Sequence, residues 1–118
     1  MDKNKSQPEI FDLNTSEEFQ EAVHRCLSVL YDRGVLQLSE IILTDKNEER
    51  DTRLGASKKE GHIFLYEKPF KEHKRQLGEN RALWQLAQTI LHEQYHVLNG
   101  AGEIEAEEYA KIILKDIT

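Results

Sequence analysis

The 118-residue chain holds one cysteine, two prolines and no long apolar run. Cys26, being alone, cannot close the internal disulfide on which small secreted domains rely, so an intracellular, cytoplasmic location is expected. Pro8 and Pro69 are too few to mark a domain boundary. With no repeat, Gly/Ser linker or low-complexity tract, the chain reads as a single domain over 1–118. No segment approaches the roughly 20 apolar residues of a membrane span, and the opening MDKNKSQPEIFDL lacks the apolar stretch of a secretory signal. A soluble protein without membrane contacts is expected. Basic surplus is also missing: 22 acidic against 16 basic side chains leave a net charge of −6, which argues against sequence-independent nucleic-acid binding. Hydrophobic residues at 38% and charged residues at 32% place the chain in the globular class, around a modest core.

Periodicity supplies the organisation. Residues 1 to about 13 are polar and expected to be loose. Thr15 with Glu18 three positions later reads as a capping box opening a helix to about Arg33, stopped by Gly34. Phe19, Val23, Cys26, Leu27 and Leu30 form its apolar stripe, which makes Cys26 a small buried hydrophobe rather than a reactive nucleophile. VLQLSEIILT, Val35 to Thr44, is aliphatic and alternates in its first half, predicting a half-buried strand. A charged turn follows, then a short strand from Arg53 to Ser57, a hairpin turn at Lys58 to Gly61, and a strand from His62 to Tyr66 ending near Pro69. Beyond a polar connection, KEHKRQLGEN, helices are predicted from about Asn80 to Asn99 and from about Gly102 to Asp116, broken at Asn99-Gly100. The expected fold is a small α+β domain: an N-terminal helix, a short antiparallel sheet and two C-terminal helices.

The chemistry concentrates in His92-Glu93-Gln94-Tyr95-His96, an HExxH pattern. Histidines four apart on a helix lie one turn apart on one face, where both can ligate a single Zn²⁺. Glu93 between them suits the general base of metal-assisted peptide hydrolysis. Chance alone yields this pattern in roughly 3 of 100 chains of this composition, so context decides. Leu83, Leu86, Ala87, Ile90, Val97 and Leu98 share one arc of the helix, with His92 and His96 about 180° and 220° from Leu83. One side can therefore pack while the other faces a cleft. A catalytic zinc wants a third protein ligand, and the last helix offers four glutamates. Glu105 and Glu108 fall away from that helix's apolar stripe, whereas Glu103 and Glu107 lie beside it. An antiparallel return at Asn99-Gly100 brings these two level with the histidines.

HEQYH followed by EIEAEEYAKIIL resembles the gluzincin metallopeptidases, specifically the ImmA/IrrE-like branch, over about the last half of the chain. In that branch the HExxH helix precedes a helix carrying ExEAN or ExEAD and then FA. The resemblance implies a zincin-like fold, with the glutamate ligand on Glu103, the middle glutamate on Glu105, and the Ala and aromatic-Ala positions on Ala106 and Tyr109-Ala110. Four residues after the ligand, gluzincins carry an Asp or Asn that orients a ligating histidine; here that position is Glu107, whose carboxylate can accept the same N–H across a longer arm.

The resemblance thus implies one Zn²⁺ per chain on His92, His96 and Glu103, Glu93 as the catalytic base, and a peptide or protein substrate. Larger gluzincins continue into a substrate-binding subdomain. The fifteen residues after Glu103 match instead the minimal gluzincins, seen in latent, zymogen-like forms, for which weak activity or autoinhibition is expected. A monomer is expected. The competing reading is a non-hydrolytic zinc-binding regulatory or protein-interaction module; a retained Glu93 favours the enzyme. Tyr66, His62 and His73 each stand within reach of the cleft as a second electrophile, but spacing assigns none. The strand from His62 to Tyr66 is expected at the sheet edge, binding an extended peptide through its backbone.

Overall fold

The computed structural model describes residues 8–45, 55–57, 62–100 and 102–117. Its elements run β1 (Glu9–Leu13), α1 (Glu17–Asp32), β2 (Glu40–Thr44), β3 (Gly55–Ser57), β4 (His62–Tyr66), α2 (Glu67–Leu77), α3 (Glu79–Asn99) and α4 (Glu103–Ile117). The α+β class holds. Among the described residues no helix is long and apolar enough to cross a membrane.

The sheet departs from the antiparallel expectation. Its order is β1-β2-β4-β3, with β1 and β4 both parallel to β2 and only β3 antiparallel to β4. For one pair the cause is β1: residues 9–13, expected to be loose, form a strand that α1 carries over to β2, and a helical crossover makes those two strands parallel; β2 and β4 are parallel as well, with β3 between them in the chain. The β3–β4 pair is the antiparallel part of the sheet. The hairpin turn at Lys58 to Gly61 lies outside the described residues. β4, expected at an edge, is interior, and the edges fall to β1 and β3.

Ile41 and Leu43 of β2 and Ile63 and Leu65 of β4, all at 0% exposure, point to one face of the sheet. They join Phe19, Val23, Leu27 and Leu30 of α1 and Leu86 and Ile90 of α3 in one cluster. Each such side chain contributes about 1.5–3 kcal/mol over its exposed state. The opposite face carries Phe11, Ile42 and Phe64 in one register row.

Local chemistry explains the shifted boundaries. Helix α1 is capped by Ser16 rather than Thr15, because Thr15 turns back on Asp12 through its N–H at 3.1 Å while the Ser16 hydroxyl accepts from the Phe19 N–H at 3.3 Å. Glu18 pairs with Lys74 instead of closing a capping box. Val35 to Leu38 is not strand, since the backbone groups of Val35 and Gln37 bond a side chain of α3. The polar connection KEHKRQLGEN lies largely within α2. That helix buries only Glu67, Pro69 and Phe70, too sparse a stripe to read as periodic, and Pro69 sits in its first turn, where a missing N–H is harmless.

Candidate metal centre

Helix α3 serves two surfaces. Ala82, Leu86, Ile90, Leu91 and Gln94 are its buried residues, while His92, Glu93 and His96 are half-buried on the remaining arc. Its end at Asn99 is followed by Gly100 and Gly102, both at positive φ (83° and 130°), a region open to glycine at little cost. That turn starts α4 beside the end of α3, with Glu103 as its first residue. A Cβ at Gly102 would come 2.8 Å from Glu105 Oε1, which folds back over the turn.

Three ligating atoms converge there. His92 Nε2 lies 3.2 Å from His96 Nε2 and 2.9 Å from Glu103 Oε1, and His96 Nε2 lies 3.4 Å from Glu103 Oε2. His92, His96 and Glu103 form the one His/Cys/Asp/Glu group among the described residues whose ligand atoms could hold a metal ion.

The outer nitrogens face acceptors. His96 Nδ1 is 2.9 Å from the Gly100 carbonyl oxygen and His92 Nδ1 is 3.4 Å from Glu107 Oε1. Both oxygens only accept, so a proton on each Nδ1 would turn an Nε2 lone pair to the centre, the tautomer that a bound metal ion requires. Glu107 is itself held by the Gln88 amide, 3.2 Å away. Two Nε2 atoms and the two oxygens of one carboxylate thus face one another at 2.9–3.4 Å. A tetrahedral ion bound at 2.0–2.1 Å holds its ligand atoms about 3.3 Å apart. The donor set and spacing fit such an ion.

No protein-family profile, curated protein or solved structure matches this chain. The site is therefore read from its own geometry.

Glu103 is brought to both histidines, as expected, and Glu107 to the outer nitrogen of His92. Glu105 and Glu108 are exposed. Glu93 sits between the two histidines on the same turn, half-buried. The three further candidates lie on other elements: His62 at the start of β4, 3.8 Å from Glu40, Tyr66 at the end of β4, and His73 on α2. Cys26 is buried beside the Leu83 carbonyl at 3.4 Å, and desolvation, opposed weakly by Arg25, pushes its thiol up to about 12, so it stays a neutral thiol.

Gln94 is the residue the motif hides. It is fully buried: its Oε1 accepts from the Gln37 N–H at 2.7 Å, and its Nε2 donates to the Val35 carbonyl at 2.8 Å and to the Tyr109 hydroxyl at 2.7 Å. A signal existed. On the helical wheel Gln94 falls about 20° from Leu83, inside the apolar arc, and a polar residue there must find partners.

Proposed function

We propose that this chain is a small zincin-like metallopeptidase of the gluzincin type, binding one Zn²⁺ through His92, His96 and Glu103. The observation that carries the reading is the convergence of two Nε2 atoms and a carboxylate, with both Nδ1 atoms facing outward to acceptor oxygens of Glu107 and Gly100. Zn²⁺ in such a site acidifies water and polarises a carbonyl. The chain's own groups do the rest. Glu93 holds the attacking water through its carboxylate, removes a proton, and returns it to the leaving amine. Glu107 keeps the His92 ring turned, and Gln88 keeps Glu107 in place.

Peptide binding by strand addition moves from β4 to β3. This edge strand lies against α3: a Cβ at Gly55 would come 2.9 Å from Thr89 Cγ2 and from the Phe64 carbonyl oxygen, which leaves room for glycine only. Thr89 is one turn before Glu93, so a peptide paired to the free side of β3 runs toward the ligands.

The test pairs metal analysis with peptide hydrolysis. The wild type is expected to carry one zinc, His92→Ala and His96→Ala none, and Glu93→Gln to keep zinc while cleavage falls about 10²- to 10⁴-fold. Zinc without any cleavage in the wild type would leave the non-hydrolytic binding module. Unchanged metal in both histidine variants would end the metal reading.

A further inference from the structure

We infer that Tyr109 and Gln94 are a positioning pair, setting the distance from α3 at which Glu103 closes the metal triangle. The inference rests on the metal reading above and adds a role for two residues outside the ligand set.

Glu103 needs such a device. Its side chain is 79% exposed, so no packing of its own holds it, and its position is inherited from the docking of α4. The buried face of that helix is Ala106, Ala110 and Leu114. Two alanines are small knobs, and apolar contact is non-directional, so a helix resting on them can slide by a few tenths of an ångström with little change in buried area. A hydrogen bond cannot slide in this way, because it weakens steeply as length and angle leave their optimum.

The Tyr109 hydroxyl supplies that directional contact, and Gln94 is anchored to receive it. With its Oε1 on a backbone N–H and its Nε2 on a backbone carbonyl, the amide has one orientation; turning it over would set N–H against N–H and oxygen against oxygen. Its remaining N–H points to Tyr109. Gln94 stands midway between His92 and His96, so the fixed point lies on the turn that carries both histidines. The Tyr109 ring also packs on Tyr95 with centroids 5.3 Å apart, and Tyr95 meets His96 edge-on at 6.3 Å. The hydroxyl can therefore be removed while the ring keeps its seat.

A double-mutant cycle tests the pair. Zn²⁺ affinity is measured by chelator competition in wild type, Tyr109→Phe, Glu103→Gln and the double variant, and urea stability is measured on the same four proteins stripped of metal. Tyr109→Phe is expected to weaken zinc about 10-fold in the wild-type background, the lower end of what outer partners of a metal site contribute, and less than about 2-fold once Glu103 is Gln. The loss of metal-free stability should be the same in both backgrounds. An equal loss of affinity in both backgrounds, or none in either, overturns the pair while leaving the metal site standing. If Tyr109→Phe fails to fold, Gln94→Met removes the bond together with the amide's two backbone anchors and is compared in the same cycle; if neither folds, the bond serves the fold at large and the inference falls. A wild type that binds no zinc overturns the metal reading and the pair together, before any substitution is compared.

Discussion

Gln94 in α3 and Glu67 at the head of α2 are both buried, at 0% and 7% exposure, and each ties its helix to distant chain. Gln94 bonds Val35, Gln37 and Tyr109. Glu67 receives the Ser16 N–H at 3.1 Å and the Ser16 hydroxyl, and pairs with Lys71 at 3.1 Å. The difference is charge. A neutral amide both donates and accepts, so it can splice a carbonyl, an N–H and a hydroxyl together with no ion to desolvate. A carboxylate only accepts, but it does so strongly at the N-terminus of α1, where four N–H groups lack helical partners. The joint beside the candidate metal centre thus holds no carboxylate to protonate, and the joint remote from it titrates.

The largest effect is expected where the neutral joint is cut. Gln94→Leu cuts three hydrogen bonds at once, to the Gln37 N–H, the Val35 carbonyl and the Tyr109 hydroxyl, and should cost about 3 kcal/mol in urea unfolding, equally at pH 5 and pH 8. A loss that varied with pH would erase the contrast. Next comes Glu67→Ala, expected to cost about 2 kcal/mol at neutral pH. Burial pushes the Glu67 carboxyl up, but the hydrogen bonds from Ser16 and Lys71 outweigh it and hold the group below the ordinary glutamate value. A depressed folded value means that the stabilisation is complete above the unfolded pKa and is lost as pH falls through the folded one. The variant should therefore approach the wild type in acid, where protonation of Glu67 has already weakened the wild type's own joint. The smallest effect is reserved for Lys71→Met: its ammonium is half-exposed, so the pair should contribute under about 0.5 kcal/mol and vanish in high salt, leaving Ser16 as the partner that matters.

The two regions also differed in how far the sequence exposed them. The histidine spacing, the break before α4 and the phase of its glutamates are local, since His92 and Glu103 are only eleven residues apart. Periodicity therefore reached the cluster of His92, His96 and Glu103. The sheet is not local. Glu9 pairs with Glu40, and Glu40 with His62, and nothing in EIFDL announces a parallel partner beyond a helix. Gln94 escaped for a different reason: as a variable position of HExxH it looked like spacing, although its phase put it in the core. Helix α2 escaped because one phenylalanine and one proline carry its packing.

The short span between α3 and α4 bears on the order of assembly. Closing an eleven-residue loop costs little entropy and takes far less time than bringing β1 to β2 across a complete helix. The ligand hairpin is therefore expected to form early, with the parallel pairing as the slow step. Zinc would then act on the refolding chain, pinning the last two helices together while the sheet is still searching for its register. Refolding with and without zinc, followed by stopped-flow, should show the metal speeding the first phase and leaving the last unchanged.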